Sequence, residues 1–325
     1  MDVYLASGSA SLWRVGKLMS TLANYAGSDS NFLYTLISII IVYWKDIVYI
    51  VTDTVGLLRS SHETFPEQRT ERSGARLLLM LVEPILMGLI LYICKQDEMF
   101  EAYIATKNLL FTYVCCAIWI GIFNSVQEIC KERNIMKREY MTGLSLTSYI
   151  MSKIIVLGVL SMIQSVLIVG VFCMIVGMPE EGLIMNPLLE LLITTFLTAI
   201  SSTAMGLFVS SLFTNADRAM TVAPILLMPQ ILFSGLIFKL DGATEIISWF
   251  AVCRWSMEGY GTSANLNDLP MKLQLEGLPI THEAESFFDY TCTHLLTSWG
   301  ILLAFTAAFL ILARIVLSKV GRERA

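Results

Sequence analysis

Charge is scarce in this chain. Of its 325 residues, 15% are charged and 55% are hydrophobic, whereas average protein composition is about 25% charged. So little polar surface cannot coat a water-soluble globule, and a bilayer removes the need. Histidine is scarcer still: His62, His282 and His294 stand apart from one another. No H-E-x-x-H, G-x-S-x-G or C-x-x-C pattern occurs, which leaves metallohydrolase, α/β-hydrolase and dithiol chemistry without a foothold. The G-x-x-x-x-G-K-[ST] phosphate loop is also missing, so no usual nucleotide cradle is present. The seven cysteines lack metal-type spacing. No metal, no cofactor in this chain and no nucleic-acid partner are therefore expected. Residues 1–30 lack the basic-then-apolar order of a cleavable signal peptide.

Long apolar stretches are what the chain has instead. A membrane helix needs about 20 mostly apolar residues. Six stretches qualify: 76–94, 108–126, about 149–176, 186–213, 220–238 and 293–317. Lys and Arg set the orientation. The segments before span one, between spans two and three, between four and five, and after six carry thirteen basic residues, from Arg59 to Arg324. The alternate segments carry five: Lys95, Lys107, Lys239, Arg254 and Lys272. Both ends of the six-span unit are therefore expected in the cytoplasm. The segment Asp241–Tyr290, with eight acidic and two basic residues, is expected outside as a folded cap between spans five and six.

Residues 32–58 are apolar to Trp44, broken by Lys45 and Asp46, then amphipathic through Ile47, Val48, Val51, Val55 and Leu58. This pattern predicts a helix lying in the membrane interface; a seventh span is the rival. A polar linker follows over 59–75. The expected organisation is an N-terminal extension over 1–75 and a six-helix membrane domain over 76–325.

Several polar features stand out. Glu83 precedes Pro84 inside span one, and an intramembrane carboxylate is costly and functional by default. A structural role is the other reading. Ser202, Gly206 and Ser210 recur every four residues, a face that lets helices approach closely, within the chain or across a dimer seam. Pro224 and Pro229 remove backbone bonds from span five. Cys253 and Cys292 fall in or beside the outer segment, where an oxidising exterior would let them pair. The loop after span two mixes charges densely: Glu128, Lys131, Glu132, Arg133, Lys137, Arg138 and Glu139, with Gly143 allowing a turn. It reads either as a helix that docks a soluble partner or as a topology anchor.

The order E-R-x-x-x-K-R-E-x-x-x-G-L-x-x-x-x-Y-x-x-S-K, from Glu132 to Lys153, resembles the corresponding loop of white-type (G-subfamily) ABC exporters and their bacterial type 2 ABC permease relatives. Residues 199–239 (AISSTAMGLFVSSLFTNADRAMTVAPILLMPQILFSGLIFK) and 247–261 (ISWFAVCRWSMEGYG) are similar to spans four and five of that superfamily and the segment that follows. Residues 247–261 are similar in particular to bacterial transporters that fuse forkhead-associated domains and an ATPase ahead of such a permease. The resemblance runs over about residues 76–320. This sequence departs by showing no phosphate loop of its own.

The resemblance implies an all-α integral membrane fold and a permease with no nucleotide-binding domain of its own. It implies an ATPase-coupling loop carried by Glu128, Glu132, Arg133, Lys137, Arg138, Glu139 and Gly143. It also implies a substrate path beside spans two and five, with Tyr113, Asn124, Gln230 and Phe233 as candidates. The partners implied are an ABC ATPase subunit that holds ATP and Mg, a second permease half, identical or not, and membrane lipid. Multi-pass insertion in the cell membrane and outward movement of an amphipathic substrate complete the expectation. An ion-coupled secondary transporter, a membrane-embedded enzyme and a non-transporting anchor or sensor are the alternatives.

Overall fold

Apolar length and end-capping chemistry account for the helices. In the computed structural model the described residues are 82–95, 100–141, 145–177, 179, 182–236, 242–271 and 285–322. The interfacial helix expected over 32–58 and the rest of the 1–75 extension lie outside them. The described residues form helices and no strand: α1 (Val82–Cys94), α2 (Tyr103–Ser125), α3 (Glu128–Met141), α4 (Leu146–Ile175), α5 (Pro187–Leu212), α6 (Ala216–Leu232), α7 (Ala243–Ser248), α8 (Val252–Ser263) and α9 (Cys292–Arg322). Two short 3-10 turns, Leu266–Asp268 and Ser286–Phe288, join α8 to α9.

Among the described residues, four helical stretches are long and apolar enough to cross a membrane: Tyr103–Arg133, Leu146–Ile175, Pro187–Leu212 and Cys292–Lys319. They match expected spans two, three, four and six. The described residues are those of an all-helical membrane protein. Expected spans one and five correspond to α1 and α6, which are shorter; α6 has 17 residues.

The caps follow the usual chemistry. Ser145 Oγ accepts from Ser148 N at 3.3 Å to start α4. Asn186 caps α5, with Pro187 at its first position. Asn215 Oδ1 accepts from Asp217 N at 2.9 Å to start α6. Glu190, in the first turn of α5, takes Ile184 N at 2.6 Å and Met185 N at 2.9 Å, which folds the preceding loop onto the helix. At the far end of α4, Lys95 Nζ donates to Ile175 O at 2.6 Å and ties the exit of α1 to it.

α5 is the hub, packed against α2, α4, α8 and α9. Its small residues are what admit α2. A Cβ at Gly121 of α2 would meet Ala199 O at 2.5 Å and Thr203 N at 2.9 Å, both α5 backbone. A Cβ at Gly206 would strike Ser125 Oγ and come within 3.1 Å of Ile122 O. The Ser202–Gly206–Ser210 face is therefore filled from within the chain. α4 and α9 instead present large apolar side chains outward, among them Ile155, Val156, Val159, Leu303 and Ile311, as lipid-facing helices do.

Between α6 and α9 the described residues hold part of the segment expected as an outer cap. Residues Val252–Ser263 form a helix whose every residue is buried, lying against α5, α9, α2 and α6. Ser256 Oγ accepts from Thr198 Oγ1 at 2.8 Å. Thr198 lies eleven residues beyond Pro187, roughly 16 Å along α5 at 1.5 Å per residue. Gly259 permits the approach: a Cβ there would stand 3.1 Å from Thr194 Cγ2. The segment re-enters the bundle because its polar face pairs with a threonine row on α5, not with water. Residues near the start of α9 are tied down differently. Asn267 Nδ2 donates to Glu285 O and Phe288 O, both at 3.0 Å. Lys107 pairs with Glu285 at 2.7 Å, and Tyr103 OH donates to the same carboxylate at 2.7 Å.

Candidate functional site

The loop helix α3 is built against the bundle at the end where α4 starts and α5 stops. Ile129 and Met136 share a buried cluster with Leu146, Tyr149 and Ile150 of α4, Ala204 and Leu207 of α5, and Ala313 and Leu317 of α9. Polar contacts fix it further. Ile129 N and Cys130 N donate to Ser210 Oγ at 3.0 and 3.1 Å. Arg133, 8% exposed, donates through Nη1 to Phe213 O at 2.6 Å and Ser211 O at 3.2 Å. A guanidinium on the last carbonyls of α5 satisfies groups the helix leaves open and complements its dipole. Glu128 and Glu132 face α4, where Lys153 Nζ lies 3.5 Å from Glu128 Oε2 and 2.7 Å from Glu132 Oε1.

Of the seven residues expected in the coupling loop, Glu128, Glu132 and Arg133 thus brace α3 on α4 and α5. Lys137 is on the same helix and half-buried. Arg138 and Glu139 are also on α3, and Gly143 lies outside the described residues. The charge pattern of the loop was legible; that half of it turns inward was not, because the partners Lys153, Ser211 and Phe213 are distant in sequence.

The four expected path residues fall into three places. Tyr113 is fully buried on α2. Its hydroxyl lies 2.9 Å from Thr195 Oγ1, and its ring stands 4.6 Å from Phe172 and 5.3 Å from Tyr260. Tyr260 OH also reaches Thr195, at 2.8 Å. Asn124 donates to Gln164 Oε1 at 2.6 Å, and Gln164 is hydrogen-bonded to Glu83. α1, α2 and α4 therefore converge on one polar cluster, of which Gln164 is the centre and is 0% exposed. Gln164 is visible in the sequence as a lone amide in an apolar span, a signal that the reading of span three passed over. Gln230 Oε1 accepts from Cys253 N at 3.1 Å and so supplies the cap that Ala251 cannot give α8. Phe233 is half-buried at the end of α6.

A second buried charge cluster was not anticipated. Arg254 Nε donates to Glu258 Oε1 at 3.0 Å, with both side chains under a tenth exposed. The guanidinium also reaches Glu245 O at 3.1 Å and lies 4.4 Å from the Phe287 ring centroid. Glu258 Oε2 stands 3.9 Å from His294 Nε2. Burial holds the Glu258 carboxyl above the usual carboxylate range, against the lowering by Arg254 and His294. The i,i+4 spacing on α8 was the available clue.

The expected Cys253–Cys292 pairing does not hold. Both thiols are free, Cys253 buried and Cys292 exposed. The reason is the inward turn of α8, which puts Cys253 at 0% exposure beside Cys115 of α2, while Cys292 Sγ lies by Leu183 O at 4.0 Å. Labelling checks this. A membrane-impermeant maleimide applied to the folded protein in detergent is expected to add to Cys292 and spare Cys253 until the chain is unfolded. Failure to label Cys292 before reduction, with labelling after it, would restore the disulfide.

The fold and the braced loop helix define a helical membrane component with a charged end. The family match makes the class specific. Residues 67–264 match the ABC-2 type transporter family, more than half of the chain, and the chain belongs to that family. It is also 29% identical over 157 residues to the ABC transporter ATP-binding/permease protein Rv1747 of Mycobacterium tuberculosis. That match takes in 47% of this chain and 18% of the relative, so the chain spans well under two thirds of that protein's length. The matched family is a membrane permease of ABC transporters, and this chain is such a permease component.

Proposed function

We propose that the chain is the transmembrane half of an ATP-driven exporter, moving an amphipathic substrate outward across the cell membrane by alternating access. ATP and Mg would be held by a partner ATPase, and a second permease half would complete the pathway. The observation that carries this reading is α3, a charged helix at one end of the bundle whose inner face is fixed to α4 and α5. A helix joined to two others at once moves them when a partner moves it. The family match supports the ATPase as that partner, and Rv1747 is named as both ATP-binding and permease. In this reading Lys137, Arg138 and Glu139 meet the ATPase, and the C-terminus lies in the cytoplasm.

The test is a pull-down of the tagged, detergent-solubilised full chain from its native host. An ATPase is expected to co-purify. Arg138→Ala with Glu139→Ala is expected to lower hydrolysis by roughly fivefold or more, the scale of a coupling free energy. Recovery of a well-folded chain with no nucleotide-binding partner would overturn the exporter reading in favour of an ion-coupled transporter or an anchor.

A further inference from the structure

We infer that Lys153 of α4 is the positioning residue that makes α4 move as one body with the loop helix α3; this rests on the coupling reading above. Lys153 stands two turns into α4, where that helix passes alongside α3. Its ammonium bridges two carboxylates one turn apart on α3: Glu132 at 2.7 Å and Glu128 at 3.5 Å. A single cation held between residues i and i+4 resists both sliding and rotation of α3 against α4, which one contact would not. The site is sheltered on one side: the Lys153 and Glu128 side chains are 16% and 13% exposed, while Glu132 is 41% exposed. Tyr149, one turn earlier on α4, closes it, with its hydroxyl 3.3 Å from Glu132 Oε2 and its ring under the ammonium at 5.9 Å.

The arrangement divides the work on α3. Arg133 fixes it to the last carbonyls of α5, a contact with backbone that follows α5 wherever it goes. Lys153 fixes it to α4, through side chains alone. α5 is packed against six of the other described helices, whereas α4 faces outward over Ile155, Val156 and Val159 and has the freer path. The charge bridge is therefore the polar connection, beside the apolar cluster of Ile129 and Met136 with Leu146, Tyr149 and Ile150, through which a push on α3 displaces an outward-facing helix. Lys153 touches no substrate in this account; it acts through α3.

Charge reversal tests it in the complex formed by the full chain and its co-purifying ATPase, reconstituted in lipid nanodiscs. Lys153→Glu is expected to retain the ATPase at wild-type stoichiometry and to leave KM for ATP unchanged, while kcat falls by roughly fivefold or more. Lys153→Arg is expected to stay near wild type. Lys153→Glu combined with Glu132→Lys restores the bridge with its polarity inverted, and kcat is expected to recover. This pair also answers for misfolding: a reversed bridge that fails to restore kcat overturns the proposal, whether or not the single variant folds. Unchanged kcat in Lys153→Glu overturns it too, as does loss of the ATPase from that variant, which would make Lys153 a docking residue. Absence of any ATPase from the wild-type chain would instead overturn the exporter reading itself, and the lever with it.

Discussion

Gly206→Leu and Gly121→Leu are each expected to leave no monodisperse protein in fluorescence-detected size-exclusion chromatography. In lipid the hydrophobic effect does not draw helices together; close packing does, and small residues permit it. α2 and α5 meet through these two glycines. At Gly121 the nearest atoms are the Ala199 carbonyl oxygen, Ser202 Cβ and the Thr203 amide, none of which can swing aside as a side-chain end can. A core overpacked in this way loses about 1–3 kcal/mol and sometimes more. Alanine at a helical glycine recovers only about 0.5–1 kcal/mol of backbone entropy. Even Gly121→Ala is therefore expected to lower the melting temperature. The contrast lies in Gly170 of α4 and Gly300 of α9, where an added Cβ meets nothing within 4 Å. Leucine at either is expected to elute as wild type does. If all four leucine variants behaved alike, packing of α2 on α5 would not be what holds the bundle.

The same seam shows what the sequence can and cannot disclose. Long apolar runs have one solution in a bilayer, since every backbone amide must be bonded within its own segment. The runs that became α2, α4, α5 and α9 were therefore readable to within a few residues. α8 was hidden by the opposite property. Its string V-C-R-W-S-M-E-G-Y-G-T-S is polar enough to pass for a solvated loop, yet every residue is buried. Its polarity is consumed in pairs: Ser256 with Thr198, Tyr260 with Thr195, Arg254 with Glu258. Half of each inter-helix pair lies some sixty residues away, and one sequence without its fold does not say which threonine will meet which serine. The polar row Thr194, Thr195, Thr198 within an otherwise apolar span was the trace that α8 left behind. The misplaced disulfide follows from the same omission, because an exposed loop thiol and a buried helical thiol read alike. Arg133 shows the converse. Its charge signalled a cytoplasmic loop, while its use, closing the end of α5, depends on a helix that returns eighty residues later.

Arg254→Ala and Glu258→Ala are each expected to destabilise the protein by about 3–5 kcal/mol, because each takes the hydrogen-bonded opposite charge away from a buried partner. Replacing both, Arg254→Met with Glu258→Leu, is expected to cost far less than the two single changes together, since a well-packed apolar pair of similar volume removes two charges at once. A double-mutant cycle on melting temperature in detergent measures the difference. Near-additive single effects would mean that the two side chains do not act as a unit. Arg254 has more to lose than the ion pair: its guanidinium also holds Glu245 O and Ser248 Oγ and lies against Phe287, Trp255 and Trp249. Arg254→Ala is therefore expected to be the worse of the two. Acidity separates them further. Burial raises the folded Glu258 carboxyl above its ordinary 4.5, so between that value and the raised one the folded state binds more protons than the unfolded state. Stability from this group is then fully present below 4.5 and is lost as pH rises through the raised value. Glu258→Gln, which keeps an acceptor for Arg254 and cannot ionise, is expected to abolish that slope in a melting-temperature profile across the acid range. An identical profile in the variant would assign the slope to other carboxylates and leave Glu258 charged in the folded protein.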